Sequence, residues 1–328
     1  MKLTRRHGRD SFGVMSAAPV TDRAGAVVLV GPLKRPRPPR AAATATGVAS
    51  RLVGPSYILA SCASLQTAAA LATTLFATFG PAGTGALRFL GAAVVLMTLL
   101  RPRLRGRSAR CWLMIAALGA TTAATTFLLY EAIARIPLGT AGTLVFLGPL
   151  ALALLRTRRR LDVAWAVAAG IGVILLTGGP SGGSLPGVGF AFGAAASVAA
   201  SILIARRVGE DTDGLDGLAL SILVAALITL PVGVPAALGT ASLPDVVLVS
   251  LIGVLGIAIP YGLEFSALRR VGVRTYSILL SLDPAVAGLA GLVLLGQQLD
   301  LAEHLGVALV MIASAAAVAT QPAIERRH

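Results

Sequence analysis

Residues 260–297 read PYGLEFSALRRVGVRTYSILLSLDPAVAGLAGLVLLGQ. Two apolar runs flank a short basic turn, Arg269-Arg270-Val271-Gly272-Val273-Arg274. The second run carries Asp283-Pro284 about 14 Å from its start at a rise of ~1.5 Å per residue. That puts an acid beside a helix breaker at membrane depth. A carboxylate there is costly unless it is protonated, paired or turned toward a wet cavity. A soluble protein has no use for this arrangement, whereas a membrane transporter does.

The rest of the chain agrees. Of 328 residues, 56% are hydrophobic and 13% charged, and the mean hydropathy is +0.84. Globular chains are about a quarter charged, so composition alone points to a membrane protein. The formal charge of +14 would suggest nucleic acid in a soluble protein. Here the basic residues sit in clusters between apolar runs and aromatics are 5%, which excludes a basic stripe interleaved with stacking rings. Membrane lipid is the partner this implies, and nucleic acid is not. Cys62 and Cys111 lie in separate apolar runs without metal spacing and read as small apolar residues.

Residues 1–51 differ in kind. They hold ten Lys and Arg, with Pro36-Arg37-Pro38-Pro39-Arg40 followed by an Ala/Thr stretch. The expectation is a disordered cytoplasmic tail rather than a targeting signal, because the apolar core at Val27–Val30 is too short. From residue 52 onward ten apolar runs reach spanning length, at 55–76, 82–100, 111–130, 138–155, 161–178, 186–205, 215–238, 244–265, 274–296 and 301–320. The fold class expected is therefore an all-α polytopic membrane protein of ten helices.

The loops give an orientation. Arginines crowd the second loop (Arg101, Arg103, Arg105, Arg107, Arg110), the fourth (Arg156, Arg158, Arg159, Arg160) and the sixth (Arg206, Arg207). They recur in the eighth (Arg269, Arg270, Arg274) and in the C-terminal tail (Arg326, Arg327), while the odd-numbered loops hold only Arg135. Sixteen against one is a positive-inside signal that places both termini in the cytoplasm of a cell whose inner membrane the chain spans.

An internal repeat is also legible. A shift of 135 residues lays 130–155 on 265–290, with seven of 26 positions identical, Arg135/Arg270, Thr140/Thr275 and Pro149/Pro284 among them. Such a shift moves five helices, an odd number, so the second half must be inserted inverted. The domains expected are 52–179 and 186–321, one five-helix repeat each, with 322–328 as a cytoplasmic C-terminal tail.

The candidate site residues follow from depth and chemistry. Pro149 and Pro284 occupy matching positions in the fourth and ninth runs, and each frees the carbonyl four residues earlier, at Val145 and Leu280. Helices broken at that depth are expected to face protein or a watery cavity. Asp283 is the candidate proton-sensitive acid. Arg88, about 10 Å into the second run, must pair or line a polar cavity; it either binds a substrate carboxylate bidentately or neutralises Asp283 or Glu131. Glu264 and Glu131 close the eighth and third runs, where an acid can reach water and an interfacial place is favoured, as it is for Glu303 and His304. Glu264 is nonetheless kept with Asp283, Arg88, Tyr261 and Gln66 as a candidate for the substrate and proton pathway. Gln66 and Tyr261 are polar residues able to face a cavity. No HExxH, GxSxG or Walker-type loop is present, so neither enzyme, cofactor nor metal chemistry is indicated, and the driving force expected is an ion or substrate gradient.

Several motifs together resemble a known family. Phe265, Ala267, Leu268 and Pro284, echoed by Tyr130, Ala132, Ile133 and Pro149, are similar to the EamA-type drug/metabolite transporters. More narrowly, Ile136–Ala141, Phe146–Ala151, Pro260–Glu264, Arg158–Asp162, Gly85–Arg88 and Asp283-Pro284 resemble the threonine/homoserine exporter branch. The resemblance runs over 52–321. It implies an exporter with two inverted repeats that moves small amino-acid-like metabolites outward by alternating access, against protons. Val145 and Asp283 stand where those exporters carry glutamate, and Gln297 where a Gly-Glu pair is usual, so the substrate is less firmly implied than the fold. The alternatives are a drug or other metabolite efflux permease of the same fold, and a non-transporting membrane scaffold using its basic tail.

Overall fold

The computed structural model describes residues 49–155, 160–177, 184–212, 215–240, 242–271 and 273–319, and these are almost entirely helical. The N-terminal tail through residue 48, the Arg156–Arg159 cluster and residues 320–328 lie outside the described residues.

The helices are α1 (Ala49–Thr73), α2 (Phe76–Leu100), α3 (Ala109–Ile133), α4 (Leu138–Leu155), α5 (Arg160–Thr177), α6 (Leu185–Asp211) and α7 (Asp216–Thr240). They continue as α8 (Leu243–Gly253), α9 (Ile259–Leu268), α10 (Val273–Leu280), α11 (Asp283–Leu295) and α12 (Leu301–Ala319). A π turn, Val254–Ala258, joins α8 to α9 as one span, and α10 and α11 are two halves of another. Among the described residues the ten expected runs are therefore ten helical segments. Seven, among the described residues, are long and apolar enough to cross a membrane: α2, α3, α6, Asp216–Ala236 of α7, Leu243–Leu268, Thr275–Leu295 and α12. Leu138–Leu152 and Val163–Thr177 are shorter apolar helices.

Local chemistry sets the helix ends. Ser108 and Ser184 accept from the amides of Cys111 and Gly187, and Ser242 with Asp245 forms a capping box at the start of α8. Asp300 and Glu303 do the same for α12, each amide bonded to the other's carboxylate at 2.8 and 2.7 Å. Glu303, expected at the interface, is fully buried by this role. α11 ends at Gly296, whose φ of 65° suits a residue without a Cβ.

Large apolar residues such as Leu99, Val163, Ile174, Leu289 and Val293 point outward, while small residues line the helix contacts. Lipid is as apolar as leucine, so close van der Waals contact between helices replaces the hydrophobic effect as the packing force. Gly91 meets the Ser250 backbone, Gly148 the Ala195 carbonyl, and Gly172 and Gly306 face each other between α5 and α12. α2 packs along α7 and α8, α3 along α6 and α7, and α4 along α6, α11 and α12. α1 packs along α9, α10 and α11.

The loops gather by parity. Arg107, in the loop after α2, bonds Asp216 at the start of α7 at 3.1 Å, and the Arg270 guanidinium lies 5.1 Å from the Tyr57 ring centroid. At the other end Arg135 stacks 4.9 Å from the Phe190 ring centroid, and Gln297 bonds the Leu138 amide. Among the described residues the loop after α2 thus meets the start of α7, and the turn after α9 meets the first turns of α1, as alternating spans require.

The two prolines behave differently. At Pro284 the ninth span breaks: Leu282 N–H bonds Leu279 O, the Ser281 amide is shared between Ser277 and Ile278, and α11 begins at Asp283. The matching expectation for Pro149 does not hold, since α4 runs continuously through it. The neighbours differ physically. Ser281 turns its hydroxyl back onto the Ile278 carbonyl at 2.6 Å, whereas Gly148 presses α4 against α6.

Candidate functional site

α1 organises the site through a simple periodicity. Ser61, Ser64 and Ala68 fall on one face, toward α9 and the π turn, while Cys62 and Gln66, one turn apart, face α10 and α11. The Gln66 side-chain amide donates to Asp283 Oδ2 at 2.8 Å. Asp283 Oδ1 is buried without a partner, and Cys62 lies beside the same carboxyl. Thus Gln66 and Asp283, two polar residues singled out in the sequence, are brought together across 217 positions.

Glu264 was expected at the membrane interface, and the structure moves it inward. Ser61 Oγ donates to its Oε1 and Tyr276 OH to its Oε2, both at 2.8 Å. The helix α9 is short enough that its last turns still face α1 and the start of α10. Tyr261, three residues earlier, turns to another surface and packs against the cluster of Phe89, Ala92 and Ala93. It does not join the Gln66–Asp283 pair. Val145 is half-buried on α4, and Leu280 ends α10 against Ile58, Cys62 and Tyr276.

Pro260 explains the π turn. A prolyl nitrogen cannot donate, and the Ile259 amide bonds Val254 O in place of Leu255 O. The Leu255 carbonyl is thereby left without a helical donor, and Ser64 Oγ supplies one at 2.6 Å. This turn presents Gly256 to α2. A Cβ on Gly256 would collide with Arg88 Nη2 and would come within 2.7 Å of the Ala68 methyl, so the arginine lies flat where a side chain would be. Gly253, one turn back, gives the Arg88 backbone the same clearance.

Arg88 itself is 4% exposed, and its Nε has no hydrogen-bond partner. Among the described residues no carboxylate pairs with it. The Tyr130 ring centroid lies 5.2 Å from its guanidinium carbon. Both acids weighed as neutralisers are engaged elsewhere, Asp283 by Gln66 and Glu131 by Arg135 at 2.5 Å. Glu131 closes α3 near the Arg135 loop.

Ser61, Ser64, Tyr276, Tyr130 and Gly256 join the site without having been singled out for it by sequence. The hydroxyls at 61 and 64, three residues apart, and the glycine four before Pro260 are the only marks the chain carries of them.

Residues 185–319 match the EamA-like transporter family. The threonine/homoserine exporter RhtA of Escherichia coli strain K12 is 35% identical over 265 residues, covering 78% of this chain and 88% of that one. The same exporter from Salmonella typhimurium strain LT2 shows the same identity and coverage. A solved crystal structure aligns with a TM-score of 0.55 and 20% identity over 83% of this chain and 98% of its own, a likeness of fold. On the length and identity of the match to the exporters, this multi-pass membrane chain belongs to the EamA-like transporter family and is a transporter, not an enzyme.

Proposed function

We propose that the protein is a secondary active exporter of small amino-acid-like metabolites, threonine and homoserine first, working by alternating access against protons. The observation that carries this reading is Arg88. A buried guanidinium inside a membrane span costs at least ~2.5 kcal/mol, and chains normally offset that with an ion pair. Here no carboxylate of the described residues takes that place, which suits a site whose anion arrives with the substrate. A carboxylate on the substrate would complete it with paired N–H···O bonds.

Asp283 is the proton-sensitive acid in this reading. It begins a half-helix beside a break, holds one oxygen to Gln66 and leaves the other open. Glu264, Ser61 and Tyr276 form the adjoining polar path. Both termini lie in the cytoplasm, in keeping with the arginine bias of the even-numbered loops.

The inverted repeat is supported by how the helices choose neighbours. Under the shift of five spans, α3 on α6 answers α1 on α9, and α4 on α6 answers α1 on α10 and α11. α3 on α7 answers α2 on α8, while the pairs α2–α7, α4–α11 and α5–α12 exchange with themselves. Rocking of one half against the other about α4 and the α10–α11 break would then expose the site to each side in turn.

The test is efflux of a labelled amino-acid pool from vesicles containing the purified protein, with and without an imposed pH gradient. Gradient-dependent loss of threonine or a few related amino acids is expected. Movement of none of them would remove the amino-acid reading and direct the search to other cargo.

A further inference from the structure

The Tyr130 ring beside Arg88 carries an orphaned polar group of its own. Tyr130, on α3, is 1% exposed, and its hydroxyl has no hydrogen-bond partner. An unsatisfied buried hydroxyl is costly, typically by about 1–3 kcal/mol, and one beside an unpaired buried guanidinium is costlier to explain as chance. The two groups come from different spans, α2 and α3, and meet ring to guanidinium at 5.2 Å. Tyr130 is itself held in place: its ring tilts against Phe76 at 5.3 Å between centroids, and its edge lies over Gly85.

We propose that Arg88 and Tyr130 together form a carboxylate-binding site, with Gly256 as the residue that positions the guanidinium. The stack on the Tyr130 ring and the seat on Gly256 hold the guanidinium in place, and its unpartnered Nε is left to donate to an incoming anion. The phenol adds one further donor. A guanidinium fork and a phenol hydroxyl suit a carboxylate, which accepts bidentately from arginine and keeps lone pairs for a third bond. Gly256 acts through Arg88 and touches no substrate: any side chain there displaces Nη2. The π turn set by Pro260 thus has a consequence for recognition.

This inference rests on the exporter reading for the substrate that brings the carboxylate, but it is testable apart from it. The first measurement is thermal stabilisation of the purified full-length protein in detergent by threonine, acetate, threonine amide and inorganic phosphate. Threonine and acetate are expected to stabilise wild type, and the amide, lacking the charge, is not. Tyr130→Phe keeps the ring and its packing and removes only the hydroxyl. It is expected to weaken the carboxylate response about tenfold, the scale of one lost bond to a charged group, and Gly256→Ala at least as much. In vesicles Tyr130→Phe should raise KM for labelled threonine by a similar factor while Vmax per inserted protein is retained.

An unchanged carboxylate response in Tyr130→Phe would overturn the role of the hydroxyl. Stabilisation of wild type by phosphate in preference to carboxylates, or by neither, would overturn the assignment of the site. If wild type binds carboxylates with these sensitivities yet moves no amino acid, the site stands and the exporter reading falls.

Discussion

The Gln66 amide and the Asp283 carboxylate lie 2.8 Å apart, joining the middle of α1 to the first residue of a half-helix that begins inside the membrane. One oxygen of Asp283 is committed and the other is buried and open. Replacing Asp283 by Asn preserves an acceptor for Gln66 and removes only the ionisable oxygen. The protein is expected to reach the membrane in normal amount and to lose pH-gradient-dependent efflux. Coupling equal to wild type in the vesicle assay would remove Asp283 from proton exchange.

Ser64 and Pro260 make opposite predictions about the same turn. Ser64→Ala strips the Leu255 carbonyl of its donor and leaves it unsatisfied, at a cost of about 1–3 kcal/mol. A lowered melting temperature in detergent is the expected readout. Pro260→Ala restores an N–H and favours an uninterrupted α ladder, so stability should hold or rise. The seat of Arg88 then shifts, and KM should rise severalfold. A melting temperature unchanged by Ser64→Ala would mean the bond to Leu255 carries no weight.

Two glycines on the eighth span separate packing from composition. A Cβ at Gly253 would collide with the Arg88 carbonyl, whereas Gly262 has open space around it. Gly253→Ala is expected to force α2 and α8 apart and to cost about 1–3 kcal/mol, as overpacking does. Gly262→Ala should be neutral or stabilising by up to about 1 kcal/mol, from helix propensity. Thermal unfolding of the pair, measured side by side, checks the contrast.

Gln297 closes the odd-numbered end by accepting from the Leu138 amide at 3.0 Å. That amide is one of the orphan donors at the start of α4, beside the contact of Gly139 with Gly288 on α11. Gln297→Ala should destabilise by about 1 kcal/mol and loosen this contact between the two halves. Faster exchange of the Leu138 amide with deuterium, with little change elsewhere on α4, is the expected observation.

The spans and the loop parity were legible because they depend on local properties. A run such as 138–155 is apolar throughout and bounded by arginines and a proline, and α4 occupies those residues. The break at Asp283-Pro284 was legible for the same reason, since a missing amide is written in one residue. Pro149 carries the same residue type and no break, and there Gly148 lies close against the Ala195 carbonyl of α6. The partners of Glu264 were not legible, because Ser61 and Tyr276 reach its carboxylate from other helices.

By itself the sequence determined that this is a multi-pass membrane chain and where its helical runs fall, because hydropathy and helix rise act residue by residue. Tertiary structure alone decided that Asp283 is held by Gln66, that Glu131 is spent on Arg135, and that Arg88 faces Tyr130 and Gly256 without an anion of its own. Those outcomes depend on which helices cross at which glycine, and contacts between residues far apart in the chain leave no periodicity to read.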